Sequence, residues 1–507
     1  MRDNSGLIPI EIVFDDVPVT SHAGLLPYFD LWMRLSMPQA VDRQVSICGE
    51  QGWLDRQMIL TLVMLNLAGG DCITDVEGLE SDAGLREMLY GFERSTWTAK
   101  ERKVAERRFR GGRSRAFPAA TQIAGFLEAC HDESQETLRK SRKAFIPAPN
   151  EALRSLASLN TTLIARLQAC DPQPLATLDG DATLVETHTK NALCCYEGGR
   201  AYQPYNVYWA EQQAILHSEF RDGNVPAGHE VTRVMKEAIA CLPPGVKQVF
   251  TRQDSAAYQT DFLAWCERER EHPEYGRILF TVSADLSREL RTAIVQTAGW
   301  TPLTRMVKGK SVPTGQEWAE VIFVPQEQAL LSDIEEPFVY IAIREKMHTQ
   351  LSLLESEADG IGSSSETGVT MGNIRYKVRA IVTNRREADT AQLIKWHYER
   401  CGKSEEAHSI MKSDLAGGQL PSAKFGANAA WWALMILSLN LQRIMKGIMG
   451  DGWTKKRMKA FRFALINTPA RLISHARHLC MRVSEKVGRL LADLRARIAA
   501  VKPVWSG

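Results

Sequence analysis

The stretch "LATLDGDATL" sets two carboxylates, Asp179 and Asp181, two residues apart in a run rich in Leu, Thr and Ala. Read as a strand, its period-two alternation directs both side chains to one face. Two carboxylates on one face are costly unless they are solvated or bound to a cation. A polar turn closed by Gly180 and a metal site account for the pattern equally well. A third acid, Asp254, ends the strand "VKQVFTRQD" just before a loop and a helix. Ligands of open α/β sheets collect at such carboxyl ends of strands. The segment "WHYERCGKSEEAHSIMKSD", Trp396 to Asp414, adds three glutamates. Wound as a helix at about 100° per residue, it places Tyr398, Cys401, Glu405 and Lys412 within roughly 60° of one another, with Glu399 and Glu406 about 80 to 100° away. Taken alone, a solvated polar face explains that stripe. Carboxylate oxygens suit Mg²⁺ or Mn²⁺, and two such ions about 4 Å apart can activate one oxygen and stabilise another when a phosphodiester is broken. No Cys/His zinc spacing competes.

The elements that must position these acids change along the chain. Residues 1–170 predict a helical region, with apolar periodicity in "AGLLPYFDLWMRLSM", "LDRQMILTLVMLNLAGG" and "NEALRSLASLNTTLIARLQAC". From Pro174 the pattern alternates: strands "PLATLDGDATLVETH" and "YNVYWAEQQAILHSEF", a helix "HEVTRVMKEAIACL", a strand ending in Asp254, a helix "QTDFLAWCERER" and a strand "GRILFTVSAD". That order predicts a mixed α/β layer over 171–302. Residues 303–386 read as β-rich, with "EWAEVIFVP", "PFVYIAIRE" and "YKVRAIVTN", and residues 387–445 return to helix. The apolar run Ala427–Leu441 is too short to span a bilayer comfortably and reads as a buried helix containing Trp431 and Trp432.

At 507 residues the chain predicts several domains, and 44% hydrophobic with 24% charged residues is ordinary globular composition that excludes a fibrous or disordered chain. The formal net charge of +2 conceals two basic runs. Residues 453–507 hold thirteen Lys or Arg, among them Lys455, Lys456 and Arg457, against Glu485 and Asp493. "KERKVAERRFRGGRSR" holds eight, among them Arg107, Arg108 and Arg110. Basic runs are either solvated helix faces or footprints for nucleic acid, and two in one chain favour the second. Ten cysteines without a CxxC pair, and no secretory signal in "MRDNSGLIPIEIV", lead to the expectation of a reducing cytoplasm and no membrane.

The order "LDGDAT", "RDGN", "TRQDS", "YERCGKSEEAHSIMKSD" and "KFGANAAWWALMILSLNL" resembles a DDE transposase of a bacterial insertion sequence. The nearest group is the one bearing a Tyr-x2-Arg-x3-Glu-x6-Lys helix, insertion-sequence family thirteen-eighty. The resemblance implies an α/β, ribonuclease-H-like core interrupted by a β-rich insertion. It implies an α-helical N-terminal region for DNA binding and dimerisation, core parts at 171–302 and 387–445, and a basic helical C-terminal region at 446–507. It also implies Asp181 as first acid, since Thr183 stands two positions later as in the family pattern, with Asp179 as fallback, then Asp254 and Glu405. These three would hold two Mg²⁺ or Mn²⁺ ions.

Tyr398 and Lys412 fill the signature's Tyr and Lys positions, but its arginine is Cys401 here, with Arg400 one position away. Arg400, Arg252 and the basic runs are then expected on DNA phosphates, and a cysteine has no guanidinium fork to offer there. Trp300 and Trp318 are candidates to receive a flipped base, with core packing the plainer role for each. The implied partners are double-stranded DNA, as terminal inverted repeats and target, and a second copy of the chain in the synaptic complex. The implied place is the bacterial cytoplasm, at the nucleoid. The implied reaction is cut-and-paste transposition, and the alternative is a transposase-derived DNA-binding protein weakened by Cys401.

Overall fold

The computed structural model describes residues 17–109, 112–141, 143–269, 275–347, 368–475 and 478–502. Its strands, in chain order, are β1 (Val19–Thr20), β2 (Leu175–Ala182), β3 (Val185–Glu186), β4 (Ala201–Tyr202), β5 (Tyr205–Trp209), β6 (Ala214–Glu219), β7 (Gln248–Gln253) and β8 (Leu279–Ala284). They continue with β9 (Thr301–Val307), β10 (Lys310–Val321), β11 (Val339–Lys346), β12 (Gly368–Met371), β13 (Ile374–Thr383), β14 (Ala470–His475) and β15 (His478–Arg482). Two units divide the chain: Met1–Phe126 together with Met445–Gly507, and Leu127–Ile444.

The second unit is built on one sheet in the order β6-β5-β2-β7-β8-β13-β11-β10-β9, with β12 added to β13. β2, β7 and β8 are parallel, and β5 and β6 form an antiparallel meander on the other side of β2. Parallel neighbours need a long crossover. The helices Val231–Ala240 and Thr260–Arg268 supply it before β7 and β8, each turning an apolar stripe (Val234, Met235 and Ala238; Phe262, Leu263 and Cys266) into the core. The β-rich stretch after residue 300 continues the same sheet, because β13 pairs antiparallel with β8 from Thr383↔Thr281 to Ala380↔Ala284.

Edge strand β6 would expose unpaired backbone groups, and two asparagines meet them. Asn440 Oδ1 accepts from Ile215 N at 3.0 Å and its Nδ2 donates to Ile215 O at 2.9 Å, while Asn160 Nδ2 donates to the same carbonyl at 3.1 Å. One of the two asparagines that interrupt the apolar run therefore serves the sheet. The other, Asn428, accepts from Ser422 N and donates to Ser422 O at the helix start. Trp431 and Trp432 of the same helix, Phe425–Met449, are buried as expected.

On the far part of the sheet Leu303, Ile341, Ile343 and Ile381 pack against Leu393 and Ile394 of the helix Thr390–Ser409. Each such buried aliphatic side chain contributes about 1.5–3 kcal/mol relative to exposure, which anchors the first half of that helix. Asp389 caps its start by accepting from Gln392 N at 2.7 Å.

The first unit packs helices such as Leu26–Arg34, Asp55–Ala68, Ala83–Thr96 and Ala99–Arg107. Its C-terminal part corrects the expectation of an all-helical basic tail: β14 and β15 form a hairpin that pairs with β1, and only Glu485–Ala500 is a long helix. Val19, Thr20, Leu472 and Ile473 are β-branched or aliphatic residues that suit a strand, and basic composition masked them. No single helix among the described residues is long and apolar enough to cross a membrane.

Candidate active site

β2 brings Asp179 and Asp181 to one side of the sheet, as their spacing requires, but gives them different surroundings. Asp179 is fully buried, and its two oxygens accept from Arg252 Nε and Nη2, each at 2.6 Å. The pair is set by register, because Asp179 and Arg252 are neighbours across the parallel strands β2 and β7. Arg252 also donates to the Trp396 carbonyl at 2.7 Å and lies 5.0 Å over the Trp396 ring. Arg252, expected on DNA, is thus enclosed as a tie between strand and helix, and the fallback acid Asp179 is its counter-ion. A Cβ at Gly180, between the two acids, would stand 2.3 Å from Tyr205 Oη and 2.4 Å from the end of the Gln253 amide, so a larger residue would have to displace both buried groups.

Asp181 stands one step nearer the carboxyl edge, with its side chain 22% exposed. Asp254 follows the end of β7 and caps the short turn Ser255–Ala257, accepting from Ala256 N at 3.0 Å. Burial raises the Asp254 carboxyl above the usual carboxylate range, Asp181 pushes it the same way, and Arg400 opposes both. The two acids therefore feel one another's charge at the carboxyl ends of adjacent parallel strands.

Arg400 Nη1 lies 3.9 Å from Asp181 Oδ2, and His408 Nδ1 lies 3.7 Å from the same oxygen. His408 Nε2 meets Asn206 Nδ2 at 3.2 Å on β5. Burial, with Lys412 and Arg400 close by, lowers His408 to about 4, so it is neutral near pH 7. The Nε of Arg400 is buried without a hydrogen-bond partner among the described residues.

The helix Thr390–Ser409 thus turns Arg400 and His408 toward the aspartates, and this corrects the face expected from the sequence. Cys401 and Glu405 are both exposed. Tyr398 packs on the Leu303–Ile381 cluster with Arg379 5.4 Å over its ring. A π-turn at Ile410–Asp414 shifts the phase of the last turn, and Lys412 Nζ approaches the Leu184 carbonyl at 3.4 Å. The 100° wheel carried past Ser409 therefore misplaced Lys412. Regular polar recurrence at His397, Arg400 and His408 was the available signal for the inward face.

Asp181 and Asp254 fit a hard divalent cation by donor chemistry, and Arg400 supplies positive charge where they converge. Among the described residues no group of three His, Cys, Asp or Glu stands close enough to hold a metal ion. Glu405 does not complete the set in this conformation.

The remaining candidates scatter. Trp318 is half-buried and packs against the same apolar cluster. Trp300 lies on the other face of the sheet with Arg344 4.1 Å over its ring. Arg108 is spent on backbone, donating to the carbonyls of Gly49, Gly52 and Trp53, and this corrects its assignment to DNA. Arg107, Lys455 and Arg457 are exposed, and Lys456 lies 5.3 Å over Trp453. Arg110 lies outside the described residues. In the "RDGN" loop Arg221 sits 4.9 Å over Tyr205, and Asp222 accepts from Arg139 at 2.7 Å.

Ligands of open α/β sheets collect at the carboxyl ends of the strands, and here that place holds two acids and, on the neighbouring helix, an arginine. The family profile described as "Transposase DDE domain group 1" matches residues 7–297, more than half of the chain, and the chain belongs to that family. No curated protein matches the sequence. Among solved structures, a cryo-EM piggyBac transposase synaptic complex with hairpin DNA aligns over 96% of this chain and 87% of that one, at 12% identity and a TM-score of 0.39. That likeness is too distant to bear on the site.

Proposed function

We propose that this chain is a DNA transposase that cuts the ends of its own element and joins the freed 3′-hydroxyls to target DNA. The observation that carries the reading is the pair Asp181 and Asp254, at the ends of β2 and β7 and coupled through their charges. The order β6-β5-β2-β7-β8, with only β5 running against the other four, supports a ribonuclease-H-like core. Membership of the transposase family supports the DNA substrate. The Tyr398, Glu405 and Lys412 spacing supports placement in the insertion-sequence group thirteen-eighty.

Asp181 and Asp254 would hold Mg²⁺ or Mn²⁺, with Glu405 as the third acid, two ions to a site. Such ions supply activation of the attacking oxygen and stabilisation of the leaving one. The chain's own residues do the positioning. Arg252 fixes β2, β7 and the helix backbone at Trp396 as one rigid block. Neutral His408 lies against Asp181 without adding a charge. Arg400 balances the acid pair and is placed to meet a phosphate oxygen. The exposed cations Lys455, Arg457 and Arg107 of the first unit would bind terminal inverted repeats, with a dimer pairing two ends.

Purified full-length protein, incubated with duplexes carrying the DNA that flanks its gene and with Mg²⁺, is expected to nick at the element ends. Asp181→Ala, Asp254→Ala and Glu405→Ala should each abolish nicking. If any of them cuts as well as wild type, that residue is not one of the catalytic acids. A second reading, a DNA-binding descendant without catalysis, is favoured by the outward Glu405 and by Cys401 in the signature position. Binding to end DNA with no nicking even in Mn²⁺ would establish it.

A further inference from the structure

Beyond the acid pair, the added strands carry a second charged feature. Within β13 the alternation that turns Ile381 into the cluster beneath the helix also turns Arg379, Lys377 and Arg375 to that side. Within β9, Leu303 lies in the same cluster, so Arg305 and Val307 face with it. Register places Val312 opposite Arg305 and Lys310 opposite Val307, and directly paired residues share a face. Arg305, Lys310, Arg375, Lys377 and Arg379 are all exposed.

Strand direction fixes the end of the sheet they occupy. β13 is antiparallel to β8, and successive antiparallel pairings return β11 and β9 to the sense of β2 and β7. The tip of the β9–β10 hairpin and the start of β13 therefore lie at the sheet edge where Asp181 and Asp254 stand. Arg379 over Tyr398 marks where this face meets the helix that carries Arg400. From β13 to β9 is three strand spacings, about 15 Å, room for several phosphates of a duplex that carries one charge per about 1.7 Å.

Among the described residues, cations outnumber carboxylates in this part of the face. Glu345 is paired by register with Lys377 and lies 3.9 Å from Arg379, and Glu320, paired with Ile341, stands toward the other end of β10. Arg305, Lys310, Arg375 and Lys377 make no ion pair among the described residues. On the reverse face Arg344 is neutralised by Glu317 at 2.8 Å and stacked between Trp300 and Tyr376. The hairpin tip is a two-residue turn, Lys308 and Gly309, both with positive φ, 49° and 79°, which suits a stiff ribbon.

We propose that the β9–β10 hairpin and the leading half of β13 form a phosphate-binding track that holds duplex DNA beside the acid pair. This rests on the transposase reading and adds the surface that carries the substrate to the site. Binding of full-length protein to a 30-base-pair mixed-sequence duplex is measured by fluorescence anisotropy over a range of KCl. For Lys310→Gln/Arg375→Gln/Lys377→Gln, the slope of log K against log [KCl] should become shallower by about 0.9 per lost contact, near 2.7 in all, with affinity at least tenfold weaker. Lys247→Gln, at the opposite edge where β7 begins, should leave the slope unchanged. The single variant Lys310→Gln, at an exposed hairpin position, should lower the slope by about 0.9 and gives the answer if the triple variant fails to fold. Wild-type slope in a folded variant, from a protein that cuts DNA, overturns the track alone. A wild-type protein that neither binds nor cuts DNA overturns the transposase reading and the track with it.

Discussion

Arg400 faces Asp181 across 3.9 Å, and its charge also acts on Asp254, so the acid pair has a resident counter-ion on the neighbouring helix. A divalent cation approaching these acids meets that guanidinium. Arg400→Gln should therefore tighten Mn²⁺ binding to the DNA-free protein by about tenfold, a 1.4 kcal/mol effect, while Arg400→Lys stays near wild type. Mn²⁺ titration followed by electron paramagnetic resonance reads this without turnover. Unchanged Mn²⁺ affinity in Arg400→Gln would remove Arg400 from the electrostatics of the site.

The two aspartates of "LDGD" should separate by stability. Asp179→Asn leaves buried Arg252 with only the exposed Glu399 carboxylate, 3.7 Å away, as counter-charge, and removing one partner of a buried pair costs about 3–5 kcal/mol. Asp181→Asn removes a repulsive neighbour of Asp254 and should leave the urea midpoint at or above wild type. Equal midpoints for both variants would show that the Asp179–Arg252 tie has no structural weight.

Trp318 provides a test between core and substrate roles. Its packing against the apolar cluster, beside its register partner Ile343, predicts that Trp318→Ala lowers stability by a few kcal/mol, whereas Trp318→Phe keeps both stability and cleavage. A base-receiving tryptophan would instead lose cleavage at unchanged melting temperature.

His397 predicts a pH dependence. It sits between Thr281 Oγ1 at 2.8 Å and Ser283 Oγ at 3.1 Å, and burial, with Arg400 and Arg252 nearby, lowers it to about 3. An unfolded histidine titrates near 6.5. Its contribution is therefore fully present above about pH 6.5. It is lost as pH falls toward 3, because the unfolded chain takes up the proton first, at up to about 1.4 kcal/mol per pH unit. Urea midpoints at pH 7.5, 6 and 5 should fall in wild type and fall less steeply in His397→Gln.

Cys401 is exposed beside Glu405, where the resembling signature has arginine. Cys401→Arg should steepen the salt dependence of DNA binding by about 0.9 and tighten binding a few-fold. No change in slope would mean that this helix face does not meet phosphate.

Some of this protein was legible from local pattern alone. Period two made Asp179 and Asp181 share a face, Asp254 was recognisable as a strand-end acid, and the two adjacent tryptophans belonged to a buried helix, since each depends only on near neighbours in the chain. What each acid does was beyond sequence reach. Register across β2 and β7 gives Asp179 to Arg252 and leaves Asp181 near Asp254, and register is a long-range property. The helix with Glu405 is rotated by how Leu393 and Ile394 seat in the sheet, so Arg400 faces inward and Glu405 outward, and the π-turn after Ser409 displaces Lys412. Composition concealed the β14–β15 hairpin because strand pairing satisfies the backbone whatever the charge of the exposed side chains. The sequence by itself set the residue chemistry, carboxylates for cations and cations for phosphate. Only the tertiary structure decided which of them meet, because packing and strand pairing join residues far apart in the chain.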